Sequence, residues 1–275
     1  KINKSFNVKN IEGENAGGLI GNQSFYNITD GTVTISYCNT SGNINGDNSG
    51  GLIGNNLMNL IDNCNWYINN CFNVGEINGE NSGGLIGQNA FYQIENGTID
   101  LLNCDNNGEV IGNNTGGLLS NTVFNEIKMI KMNITNCKNI GLISGNDNGG
   151  LIGNNAYNKM ENGEINILNC SNLGTLLGNN NGGILGYNAF KEMIYGEINL
   201  NNTNNSGNIE GINSGGLFGN NSFELITNGK IIIDECINDG EIYAFSEEGG
   251  GIFSNHCLKV EPIKWLQIKA LLQWI

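Results

Sequence analysis

Arginine is absent from all 275 residues, and the chain holds a single proline and a single histidine. Each scarcity removes a class of chemistry. Catalysis that needs two histidines, or an arginine clamp on a phosphate or carboxylate, has no residues to run on. Only 14% of the chain is charged, and no basic stripe offsets a net charge of −14. A nucleic acid is therefore not an expected partner. No apolar run reaches the ~18 residues of a membrane span, so no membrane span is expected. No signal sequence is present, since Lys1 opens directly into patterned sequence; an exported protein would be represented here by its mature or excised piece.

What is abundant restricts the fold just as firmly. Asparagine and glycine together make up more than a third of the chain, with glycine alone occurring 42 times. Glycine costs ~1 kcal/mol per helical site relative to alanine, and asparagine is also a poor helix former. Long helices are excluded. The hydrophobic fraction of 39%, rich in isoleucine and leucine, is still enough to build a core.

Internal repetition decides the architecture. Gly17-Gly18-Leu19-Ile20-Gly21 recurs in constant 33-residue steps from Gly50, Gly83, Gly116, Gly149, Gly182 and Gly215, and an eighth copy starts at Gly250, two positions late. Ser120 replaces the last glycine of the fourth copy. Cysteine keeps the same interval at Cys38, Cys71, Cys104, Cys137, Cys170 and Cys236, with Ser5 and Thr203 at equivalent places. So do an aromatic or large apolar column (Phe25, Met58, Phe91, Phe124, Tyr157, Phe190, Phe223) and an aliphatic one (Ile44, Ile77, Val110, Ile143, Leu176, Ile209, Ile242). Short period-two pieces such as Ile99-Asp100-Leu101 are bounded by Gly or Asn-Gly, the mark of strands and corners. Positive φ is expected at the corners Asp30-Gly31, Asn96-Gly97, Asn162-Gly163 and Asn228-Gly229.

Asn-Gly alone would favour hairpins. Strict 33-residue periodicity favours one coil per unit, each stacked on its copy with like side chains ~4.8 Å apart. The expected fold is all-β: a parallel β-solenoid of about eight coils over residues 1–257, right-handed by the crossover preference. Leu52, Leu85, Leu118, Leu151, Ile184 and Leu217 should form one buried ladder, and corner asparagines can stack as amide ladders. Composition changes after Cys257, where Gly and Asn vanish. Pro262 suits a first helical turn, so residues 258–275 are expected to be a helical C-terminal cap. A membrane-interface helix and an extended strand are the alternatives for that segment.

Asn103-Cys104-Asp105-Asn106-Asn107-Gly108-Glu109-Val110-Ile111-Gly112 and Gly83-Gly84-Leu85-Ile86-Gly87 resemble the GLUG repeat of bacterial and protist surface proteins. The resemblance covers roughly residues 5–257. It implies a surface-displayed repeat module, because in that family the repeats accompany catalytic domains and do not supply chemistry.

Several residues invite a site. The column cysteines, interchangeable with Thr and Ser, are expected to be buried free thiols: in-register side chains stand ~4.8 Å apart, beyond the ~3.8 Å between Cβ atoms that a disulfide prefers. Cys64 replaces a corner glycine and is expected to be exposed on an edge. Glu76 beside Glu109, and Glu164 beside Glu197, stack at the separation a glycosidase needs, yet repetition alone produces that proximity and no histidine or aromatic platform marks one rung. Gly46-Asp47-Asn48 and Gly79-Glu80-Asn81 resemble oxygen-rich turns, but their equivalents in later coils lack the charge that calcium would want. Sequons such as Asn96-Gly97-Thr98, Asn133-Ile134-Thr135 and Asn220-Asn221-Ser222 follow from asparagine frequency.

No catalytic, cofactor or metal residues are therefore assigned. The expected function is a non-catalytic structural or adhesive rod, extracellular or on a cell surface, with surface proteins or glycans as partners. The alternatives are a polysaccharide-active lyase or glycosidase, or a filament-forming subunit that self-associates end to end through its uncapped N-terminal coil.

Overall fold

A chain that must change direction several times in every repeat needs residues that tolerate the left-handed backbone region, and asparagine is the best of the non-glycine ones. The computed structural model describes residues 1–25, 27–57, 60–243, 249–254 and 265–269. In it, left-handed φ recurs in register. One column runs Asn48, Asn81, Asn114, Asp147, Asn180 and Asn213, and another runs Asn70, Asn103, Asn136, Asn169 and Asn202. The Asn-Gly corners carry the positive φ expected of them. The left-handed residue is the one before the glycine, with φ of 52° at Asp30, 52° at Asn96, 51° at Asn162 and 52° at Asn228. The glycine that follows supplies room: a Cβ on Gly163 would lie 2.9 Å from Cγ of Met160.

Between the corners the chain forms short strands, all paired in parallel with their copies one repeat away. Three sheets of 13, 8 and 7 strands result among the described residues. The longest elements, Leu60–Asn69, Gln93–Leu102 and Glu126–Thr135, run through a corner without interruption. The register offset is one 33-residue repeat, as in Ile77 with Val110 and Ile134 with Ile167, and widens to 35 residues only at the last rung, where Gly215 meets Gly250 and Lys230 meets Trp265. The fold is a parallel β-solenoid with one coil per repeat.

The ladder of Leu52, Leu85, Leu118, Leu151, Ile184 and Leu217 is fully buried, and its backbone bonds pass from coil to coil, Leu85 N–H to Leu118 O at 3.0 Å among them. Ile44, Ile77, Val110, Ile143, Leu176 and Ile209 form a second, smaller core. Phe91, Phe124, Tyr157, Phe190 and Phe223 stack with centroids 4.5–5.4 Å apart. That column is left-handed too, with φ between 55° and 60°, so stacking and burial must outweigh a strain of ~1–3 kcal/mol per site. The repeat between Phe25 and Phe91 carries no aromatic in this column. Trp66, from a neighbouring strand column, fills the interval instead and meets Phe25 and Phe91 edge-on at 5.9 and 5.3 Å.

Two expectations are corrected. Cys64 is buried at 1% exposure rather than lying on an exposed edge. The left-handed turn at Asn63 redirects the next side chain into the core, where its thiol faces the Asp62 carbonyl at 3.2 Å and receives the Gly31 N–H at 3.3 Å. Within 258–275, the described residues Trp265–Lys269 form a strand and not a helix. They pair in parallel with Lys230–Asp234, one more rung on an open sheet edge. The rest of that segment, like Cys257 and Met58, lies outside the described residues.

Candidate functional site

The motif residues converge on one internal feature. The side chain of Asn106 accepts from Asn73 at 2.9 Å and donates to Asn139 at 2.9 Å, and the chain continues through Asn172, Asn205 and Asn238. Thr40 heads it, donating to Asn73 at 2.8 Å. Each amide spends its second N–H on the carbonyl two residues ahead, Asn106 on Gly108 at 2.7 Å and Asn139 on Gly141 at 2.8 Å. Every donor of the buried amides from Asn73 to Asn205 is thus used, the condition under which a buried polar group is tolerated.

The second glycine of each Gly-Gly pair follows from that ladder. A Cβ on Gly117 would lie 2.1 Å from the Gly150 carbonyl oxygen and 2.4 Å from Cγ of Asn139. The ladder and the backbone share a space that admits no side chain between them. Glycine is there for close approach, not for an unusual φ.

The cysteine column is a second ladder. Cys38, Cys71, Cys104, Cys137, Cys170 and Cys236 are free and buried, as is Cys64. The sulfurs repeat one geometry. Cys104 Sγ lies 3.3 Å from the Leu102 carbonyl and 3.4 Å from that of Ile68, and Cys137 Sγ lies 3.3 Å from Thr135 O and 3.5 Å from Leu101 O. Thr203 takes the same place with its hydroxyl 3.0 Å from the Ile167 carbonyl. Burial pushes the Cys104 and Cys137 thiols well above their ordinary value and Cys236 up to about 11. These thiols are protonated at neutral pH.

One of the two acid pairs is drawn into coil-to-coil ion pairs. Glu164 and Glu197 are neighbours in register, but Lys131 holds Glu164 at 2.8 Å and Lys230 holds Glu197 at 2.9 Å. Glu76 is half-buried and Glu109 exposed, beside the second core. In the oxygen-rich turns, Asp47 accepts the Glu80 N–H at 2.9 Å and Asn48 donates to Asn15 at 3.2 Å. The sequon amides of Asn96 and Asn133 donate to Asp62 at 3.1 Å and Asp100 at 2.6 Å. Among the described residues no group of three or more His, Cys, Asp or Glu could hold a metal ion.

The sequence reading missed one concavity, a shallow groove of about 220 Å³ lined by Gln93, Glu95, Glu126, Lys128, Lys159 and Glu161. It forms where the long strands bend at Asn96 and Met129. Its charges alternate between coils, with Lys128 bonded to Glu95 at 3.2 Å and Gln93 to Glu126 at 2.9 Å. The period-two pattern could have placed these side chains outward, but not the bend that makes them concave.

No protein-family model, curated protein or solved structure matches this chain. Among the described residues no helix is long and apolar enough to cross a membrane.

Proposed function

We propose that this chain is a non-catalytic structural or adhesive module, a stiff rod displayed on a cell surface or secreted, as its resemblance to GLUG repeats implies. The observation that carries this reading is where the polar chemistry goes. The internal asparagines, the cysteine thiols and the carboxylates of Glu164 and Glu197 bond from one coil to the next, and rigidity is the property that follows. Outward positions recur at a constant spacing from coil to coil even where their residues vary, and such an array suits weak multivalent contacts with glycans or surface proteins.

Immobilised full-length protein, tested against a panel of glycans and host-surface proteins, should retain a partner with avidity that grows with ligand valency and should release no reducing ends. Glu76→Ala and Glu109→Ala should leave that retention unchanged. Depolymerisation of a glycan that disappears with those substitutions would overturn the reading in favour of an enzyme.

A further inference from the structure

The cysteine ladder has a geometric property that its role in packing does not use. Cys38, Cys71, Cys104, Cys137 and Cys170 are five consecutive rungs before Thr203 interrupts the column. Cys71, Cys104, Cys137 and Cys170 make the same two carbonyl contacts, their own coil's at 3.3 Å and the preceding coil's at 3.4–3.7 Å. Side chains in one rotamer, repeated by translation, hold their sulfurs one strand spacing apart, ~4.7–4.9 Å. That is more than twice the S–S bond of ~2.05 Å. A zinc–thiolate bond is ~2.3 Å, and a two-coordinate copper(I)–thiolate bond is somewhat shorter, so two collinear bonds span a little under ~4.6 Å and the sulfurs must close by only a fraction of an ångström. Side chains that stand perpendicular to the sheet also place the Cβ–Sγ bond across the stacking axis, near the right angle a thiolate presents to a metal.

We infer that neighbouring rungs of the cysteine ladder are two-coordinate sites for a soft, linearly coordinating cation of the copper(I) type. Soft thiolates select such ions, and the absence of a third ligand within the described residues works against tetrahedral zinc. Two Cys S–H groups and one Cu(I) give S–Cu–S with two protons released to solvent and no change of oxidation state. The site can carry the resulting negative charge. The backbone N–H of Cys71, Cys104 and Cys137 already points at the sulfur of the next rung, at 3.4, 3.4 and 3.5 Å. The carbonyls that lose the S–H donor keep a backbone partner, as Leu102 O does from Asn70 N–H and Thr135 O from Asn103 N–H. A sulfur shared between two ions would need collinear bonds on both sides, so each thiolate serves one ion. Five rungs then hold two.

The ladder is closed to solvent, so the test loads it during folding. Full-length protein is refolded anaerobically with Cu(I) supplied as its acetonitrile complex, folding is checked by circular dichroism, and bound copper and its sulfur shell are read by metal analysis and X-ray absorption. Wild type should bind two ions, each with two sulfur neighbours. Cys104→Thr should still bind two, through Cys38 with Cys71 and Cys137 with Cys170. Cys71→Thr should bind one, and Cys71→Thr with Cys137→Thr none. Thr203 already occupies the column, and serine at the same positions serves as a second set should a threonine variant misfold. Loss of copper in proportion to the cysteines removed, a shell of three or four sulfurs, copper retained by the double variant, or none bound by folded wild type would each overturn the proposal.

Discussion

The asparagine ladder inside the solenoid and the charged columns on its outward face are built from the same 33-residue repetition, yet they keep it differently. Inside, Asn73 to Asn238 repeat without substitution through six rungs, each completely hydrogen-bonded and without solvent contact from Asn73 to Asn205. Outside, the column through Thr98, Lys131, Glu164, Glu197 and Lys230 changes identity at nearly every rung and settles for ion pairs at 2.8–2.9 Å with side chains 41–51% exposed. A buried amide has no water to fall back on, so its partners above and below must match it. An exposed carboxylate can be satisfied by solvent, and its column is free to vary. Repetition is therefore enforced by burial rather than by the strands themselves.

The largest effect should come from the apolar interior. Phe124→Ala opens a gap in the aromatic stack between Phe91 and Tyr157 and should cost ~3–5 kcal/mol, read as a lowered urea midpoint. Breaking the amide ladder should come next. Asn139→Ala strips partners from Asn106, Gly141 and Asn172 and should cost ~2–3 kcal/mol. Asn139→Thr should recover part of that loss, because Thr40 already serves as a donor at the head of the ladder.

Outside, the same operation should barely register. Lys230→Ala removes a surface ion pair with Glu197 and should cost less than ~1 kcal/mol, vanishing at high salt. Acidification should act on this face in the same small way. The Asn166 amide, and after it the Lys131 ammonium, hold the Glu164 carboxyl below the usual range. A depressed folded pKa gives stability that is present above the unfolded value of ~4.3 and lost as pH falls through the folded pKa. Glu164→Gln should therefore narrow the gap between urea midpoints at pH 7 and pH 3 only slightly. An exterior substitution as damaging as Asn139→Ala would break the comparison.

Legibility in the sequence follows the same division. The Leu52-type ladder, the Ile44 column and the buried free thiols of the Cys104 column can all be read from spacing, because identical residues at a constant interval must stack once the coil is granted. The departures lie where one residue leaves its column's type. Cys64 stands in a glycine column that reads as a corner, whereas the left-handed turn sits one residue earlier, at Asn63. Trp66 filling the aromatic column depends on a ring reaching across from another strand, which no periodicity encodes. Trp265–Lys269 satisfies helix composition but meets an open sheet edge along Lys230–Asp234, and pairing prevails over propensity.

The central claim is that each 33-residue repeat is one coil stacked on the next. A crystal structure gives the direct measurement, the Cα separations along Leu85, Leu118, Leu151 and Ile184. The account predicts successive separations of about 4.8 Å with all four side chains buried. Separations well beyond a single strand spacing, or any of these side chains in solvent, would contradict it.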